Sequence, residues 1–178
     1  VGITADTPQN LVVGAGEAYV DHANLGATID ANAWRVERTI FTPDLNGAKG
    51  GLKGTDYVTA SEGILEMSIP EFNANILTKM WPGSHTDHPD AVPSMAIIDE
   101  TIARRIPTSD YHDWELHVER LNGGEFQFEV DDGLNTTNVE ASLADDALAA
   151  PRVEIHGRWD AAALTRSPHR IRILDVAS

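Results

Sequence analysis

The stretch Asp113 to Val130, DWELHVERLNGGEFQFEV, constrains the fold more than any other part of the chain. On either side of Asn122-Gly123-Gly124 its residues alternate, with Trp114, Leu116, Val118, Phe126, Phe128 and Val130 on one face. Period-two alternation marks strands with one buried side, and the glycines supply the positive-φ positions of a hairpin turn. The other face collects Asp113, Glu115, Glu119, Glu125 and Glu129, with His117 as the odd member. Carboxylates on adjacent strands stand about 5 Å apart and repel by roughly 0.8 kcal/mol in water. A face so uniform in sign needs a reason.

The rest of the chain extends the β pattern. Leu11 to Asp21 reads as a strand interrupted by Gly14 and Gly16, Trp34 to Phe41 as a regular strand, and Asp56 to Ile69 as another. In the last of these Leu65, Met67 and Ile69 share a face, with Glu62 and Glu66 opposite. Ser68-Ile69-Pro70-Glu71 is a capping-box pattern, and Phe72, Ile76 and Met80, flanked by Leu77, recur at helical spacing before Pro82-Gly83, so a helix is expected over 70–81. His85 to Ile106 reads as loop first, then strand or short helix around Met95 to Arg105. Asn138 to Leu143 is expected as a strand, Ala144 to Ala150 as a helical turn, Arg152 to Trp159 as a strand with Val153, Ile155 and Trp159 inward, and His169 to Leu174 as the last strand. This order implies a mainly β chain, a β-sandwich or partial barrel with one flanking α-helix. Residues 1–10 read as an extended N-terminal arm and 11–178 as a single domain.

Composition removes whole classes of function. The chain has 178 residues and no cysteine, which excludes disulfides, thiolate metal sites and cysteine nucleophiles. Its formal net charge of −15 opposes the counterion release that drives nucleic-acid binding. No apolar run approaches the roughly 20 residues of a spanning helix, so no membrane insertion is expected, and the first ten residues lack the pattern of a secretory signal.

The candidate chemistries are weak. His85, Asp87, His88 and Asp90 in SHTDHPD have metal-ligand types but sit in a proline-bounded polar stretch that reads as loop. Glu115 and Glu129 could be drawn as a glycosidase pair, yet they stand on one uniformly polar face that would not push their pKa values apart. Val13-Gly14-Ala15-Gly16 lacks the third glycine and following helix of a dinucleotide fingerprint, Lys49-Gly50-Gly51 does not fit a phosphate loop, and there is no Gly-x-Ser-x-Gly. No catalytic residue and no cofactor is expected. The outward positions of the last strands, Arg152, Arg158, Arg170 and Arg172, are basic, which suggests a second surface that meets an acidic patch on a neighbouring subunit.

Three blocks, LVVGAGEAYVD near the start, GGLKGTDYVTASEGILEMSIPEF, and DYHDWELHVERL with EFQFEV and APRVEIHGRWD, make the chain resemble the major tail tube proteins of long-tailed bacteriophages over most of residues 11–160. The resemblance implies a sandwich-like fold shared with type VI secretion and contractile-tail tube proteins, six copies to a ring, stacked rings, and about four strands from each copy in a continuous lumen wall. Twenty-four strands at about 4.8 Å give a circumference near 115 Å before tilt, wide enough for a DNA duplex.

On that resemblance Glu62, Glu66, Asp113, Glu115, Glu119, Glu125 and Glu129 are lumen candidates, lining a wall that repels phosphates so that genomic DNA passes without sequence-specific binding. The long loop 42–55, with Pro43, Asp44, Leu45, Asn46, Lys49, Leu52 and Lys53, is the candidate contact between rings, and the N-terminal arm is a second. The implied partners are other copies of the chain and the tail terminator, tape measure and baseplate proteins. The implied location is the virion tail, assembled in the host bacterial cytoplasm. The alternative from another class is a monomeric or decorating β-sandwich that binds carbohydrate or a host receptor, for which Trp81 and Tyr111 are the aromatic candidates.

Overall fold

The computed structural model describes residues 16–43, 53–70, 74–87, 97–100, 105–120, 123–139 and 150–175. The chain is mainly β, with one eight-stranded antiparallel sheet, one two-stranded sheet and one α-helix among the described residues. The strands are β1 (Glu17–Val20), β2 (Ala23–Ala27), β3 (Ile29–Phe41), β4 (Tyr57–Ser68), β5 (Ser84–Asp87), β6 (Ile97–Glu100), β7 (His112–Glu119), β8 (Glu125–Asn135), β9 (Arg152–Gly157) and β10 (His169–Leu174). The helix α1 spans Ala74–Met80. The large sheet runs β2-β1-β7-β8-β9-β4-β3, with β10 paired to β8 off that path, and β5 pairs β6 separately. Among the described residues no helix is long and apolar enough to cross a membrane.

β8 joins the two halves of the sheet. Its first six residues pair with β10 and its last three with β9, while β7 lies along its other edge. The switch falls at a bulge: Trp114 pairs with Val130 but His112 pairs with Gly133, and Asp132 between them has φ 48°. The extra residue exchanges inside for outside, so that even-numbered residues face the core before the bulge and odd-numbered ones after it. At Gly133 a Cβ would lie 2.5 Å from Ile155 Cγ2 and 2.9 Å from Trp114 Cδ1, so only glycine lets the strand close here.

One apolar cluster unites the layers. Val20, Leu65, Met67, Trp114, Val130 and Ile155 belong to it, and Ile76 and Met80 of α1 pack onto it. Each such side chain contributes roughly 1.5–3 kcal/mol by leaving water. Asn135, inward after the bulge, donates to the Met80 carbonyl at 2.6 Å and so satisfies an orphan carbonyl at the helix end.

Most expected strands are present, with informative exceptions. The first one does not run on to Asp21: β1 turns back into β2 through Asp21 and His22, both at positive φ (49° and 63°) without a glycine. Asp21 holds that turn, because its carboxylate accepts from the Asp113 N–H and meets Lys79 and His112 at 2.8 and 2.9 Å. β3 begins at Ile29, five residues before Trp34. Ser84–Asp87 is a strand where a loop is expected. Trp159 is not inward; the ladder ends at Gly157, and the indole is 44% exposed and donates to the Ser61 carbonyl. Asn138 and Val139 lie outside any strand. The N-terminal arm, residues 11–15, Asp44, Leu45, Asn46, Lys49, Leu52, Glu71, Phe72, His88, Asp90, Asn122 and the expected turn 144–149 lie outside the described residues.

Candidate functional site

The β7–β8 register sets Glu115 opposite Glu129 and Glu119 opposite Glu125, with His117 opposite Gln127. β1 extends this face with Glu17 opposite His117 and Tyr19 opposite Glu115, and β10 extends it with Arg170 opposite Glu129 and Arg172 opposite Gln127. Like charges directly opposite destabilise a sheet, so each carboxylate pair needs a cation.

His117 lies between two of these carboxylates, Glu115 and Glu125. Its Nε2 is 2.8 Å from Glu115 and its Nδ1 2.9 Å from Glu125, and its ring stacks on Tyr19 at 4.2 Å. His22 from the β1–β2 turn adds a third contact, 2.6 Å from Glu115. Burial pushes the Glu115 carboxyl up, but the bonds from His117 and His22 outweigh it and hold the group below its ordinary value.

Arginines supply cations. Glu129 is 2% exposed, and the Nε atoms of Arg170 and Arg172 both close on it, as ion pairs without hydrogen-bond alignment. Arg170 forks onto the buried Asp131 at 2.7 and 3.0 Å, and Arg166 reaches the same carboxylate at 2.7 Å. Burial opposes the Arg170 charge, but Asp131 and Glu129 more than compensate and raise its pKa. Asp113, Asp131, Asp132 and Asp160 line a cavity of about 150 Å³ beside this cluster. Burial and then the charges of Asp113, Asp160 and Asp131 raise the Asp132 carboxyl.

The β3-β4-β9 half repeats the arrangement. Glu66 stands opposite Glu154, and Arg35 bridges them, bonding Glu154 at 2.5 Å; Arg152 closes on Glu66 from the side. Glu62 meets His156 at 3.0 Å and Arg158, and His156 reaches Glu154 at 3.1 Å with its other nitrogen. Burial works to raise Glu62 and Glu154, and these partners lower both on balance.

The expected division into an acidic and a basic surface is therefore corrected. Arg152, Arg158, Arg170 and Arg172 each pair with a carboxylate of their own chain, on the face that holds Glu62, Glu66 and Glu129. Alternation assigns residues to a side of their strand; it does not say that β9 lies beside β4, or β10 beside β8. Of the other lumen candidates Glu119 is exposed, Glu125 faces His117, and Asp113 accepts from the Asp132 N–H at 3.1 Å. Tyr19, His22, Arg35, Asp131 and His156 belong to the face but were not singled out in the sequence. The repeated Glu-x-His in WELHV and VEIHG was the available signal for His117 and His156.

The long loop is reached through an arm. β3 and β4 continue past the end of β9, and Ile40, Phe41, Tyr57 and Val58 near its tip are all more than half exposed. Thr42 bonds Asp56 at 2.5 Å where the arm ends; of the stacking candidates, Pro43 is half-buried and Lys53 exposed.

The other candidate chemistries have plain structural settings. His85 faces Asp99 at 2.9 Å, and among the described residues no group of three or more histidines and carboxylates is arranged to hold a metal. Glu115 is committed to His22 and His117, and Glu129 to Arg170 and Arg172. Trp81 bonds Glu100 at 2.5 Å at the edge of a cavity of about 740 Å³, whose walls include Leu77, Ile98, Ile106 and Asn138, and Tyr111 is half-buried. No protein-family model and no curated protein sequence matches the chain.

Proposed function

We propose that this protein is a structural subunit that assembles with copies of itself into stacked rings, forming a tube through which DNA passes, as the major tail tube proteins of long-tailed phages do. The observation that carries the reading is the charged face itself. It runs over β1, β7, β8 and β10 and again over β3, β4 and β9, carboxylates outnumber arginines on it, and its cations are taken up by bonds within the chain. Guanidinium groups already bonded to carboxylates have fewer donors left for phosphate, and the net negative field repels a polyanion. Such a wall carries DNA past without adhesion. The arm formed by β3 and β4 suits contact between successive rings, because its exposed apolar tip would be buried there.

On this reading the sheet and its flanking helix form a tail-tube sandwich, and the protein resides in the virion tail beside terminator, tape measure and baseplate proteins. Negative-stain microscopy at high protein concentration tests it. Rings or tubes of constant diameter are expected, and a strictly monomeric particle would overturn the proposal. The Trp81 cavity favours a second reading, a decorating module that binds carbohydrate. Glycan binding by the wild type that is lost in Trp81→Ala would move the assignment there.

A further inference from the structure

The end of the β3–β4 arm is apolar on both of its faces. Phe41 stands directly opposite Tyr57 and Ile40 opposite Val58, and all four are more than half exposed. Cross-strand partners share a face while successive residues alternate, so one apolar pair lies on each side of the ribbon. The Thr42–Asp56 bond at 2.5 Å closes the ladder and holds the two pairs in place. A ribbon apolar on one face can lie on a flat surface. One that is apolar on both is covered only between two walls.

The cavity beside Trp81 offers such walls. Leu77 and Trp81 come from α1 and the residue after it, Ile98 from β6, and Thr136, Asn138 and Val139 from the segment after β8, around a volume of about 740 Å³. Its place in the fold decides whose arm can enter. Asn135 pairs with Ile155 and Ile155 with Leu65, and the Thr136 N–H bonds Glu154, which stands opposite Glu66. The cavity therefore lies toward the Ser68 end of β4, whereas the arm ends at Tyr57. At about 3.3 Å per residue the strand from Tyr57 to Leu65 spans roughly 26 Å. The arm of the same copy, straightened by its ladder, points the other way.

We infer that the cavity between α1, β6 and the end of β8 receives the apolar arm end of a second copy of this chain. The inference rests on the tube reading and names the surface of the next ring that the arm meets. A projection at one end of β4 and a recess at the other make a heterologous contact: each copy gives its arm to one neighbour and takes an arm from another. Association then propagates in one direction instead of stopping at a dimer. Charge does not oppose it. Residues 42–56 hold two lysines and two aspartates, so the arm end is neutral on a chain of net charge −15. Among the described residues that line the cavity the one carboxylate is Glu100, which accepts the Trp81 indole N–H.

The chain has no cysteine, so single thiols can be introduced on a silent background. Lys53→Cys marks the arm and Thr136→Cys the cavity rim, both at exposed positions. Mixed at concentrations where the wild type assembles and treated with a short bismaleimide, the two are expected to give a cross-linked heterodimer. Lys53→Cys mixed with Leu164→Cys, exposed on another loop, is the control expected to give none. Asn138→Trp, also at an exposed position, narrows the cavity. Added to the Thr136→Cys chain it should abolish the cross-link, and alone it should stop assembly at single rings with a melting curve like that of the wild type. Tubes from Asn138→Trp, or a cross-link no stronger than the control, would overturn the inference and leave the tube reading standing. Glycan binding that Asn138→Trp abolishes, without the cross-link, would give the cavity to a carbohydrate. A wild type that never self-associates would remove both readings.

Discussion

Glu129 and Asp131 are carboxylates almost without solvent, and three arginines hold them. Breaking a buried pair from one side costs more than the pair contributes, because the remaining charge stays buried. Arg170→Met is therefore expected to lower unfolding stability by about 3 kcal/mol, the low end for such a loss, since Arg172 and Arg166 stay in place; urea denaturation measures it. Acid acts on the same face. Glu62, Glu115 and Glu154 have folded pKa values below their unfolded ones, so their contribution is complete above the unfolded value, about 4.3, and is lost as pH falls through the folded values. The melting temperature should fall on acidification below about pH 4.5, and fall less in Glu115→Gln. Asp132 has the opposite sign. Its raised pKa makes the ionised form a liability at neutral pH, so Asp132→Asn should raise the melting temperature at pH 7 and change it little at pH 3. Asparagine tolerates the positive φ of this position, which keeps the backbone out of the comparison.

At the scale of elements, the alternation in β7 and in β8 as far as Val130 was legible, because the apolar residues there share one face and a slip of one residue would expose the whole set; the bulge beyond Val130, and the burial of Ile64 beside Leu65 in β4, were not. The β1–β2 turn was not. Asp21 and His22 lack the glycine or asparagine that announces such a turn, and what holds them there comes from Asp113, Lys79 and His112, distant in sequence. The arginine partners were hidden for the same reason, since the order of strands in a sheet is set by tertiary packing. The start of β10 depends on Gly63 of β4, where a Cβ would fall 2.2 Å from the Cβ of His169. Gly63→Ala should cost about 1–3 kcal/mol, the usual range for overpacking, read as a lowered denaturation midpoint.

For the whole molecule, the mixed character of the face changes how a charge experiment must be designed. Reversing Glu115 or Glu129 would attack internal ion pairs and confuse folding with function. Glu17 and Glu119 share the face and are exposed. Glu17→Lys with Glu119→Lys should leave assembly intact but retain nucleic acid at low salt, with retention lost as salt rises. Passage of DNA unchanged in that variant would remove the acidic face from any role in transport. Removing Gly47 to Gly51 should leave the melting temperature nearly unchanged, because loop length costs folding little, while preventing rings from stacking; intact tubes would take the loop out of the contact.

The bulge at Asp131 and Asp132 works like a frame shift written into a strand. Everything downstream in β8 owes its orientation to one additional residue, whatever that residue is. Position 132 should therefore accept asparagine or glycine readily and refuse deletion, because removing it would turn Leu134 into the space that only Gly133 fits and push Asn135 away from the helix end it caps. What this site contributes is length, and its variation across related chains should appear as substitutions without gaps.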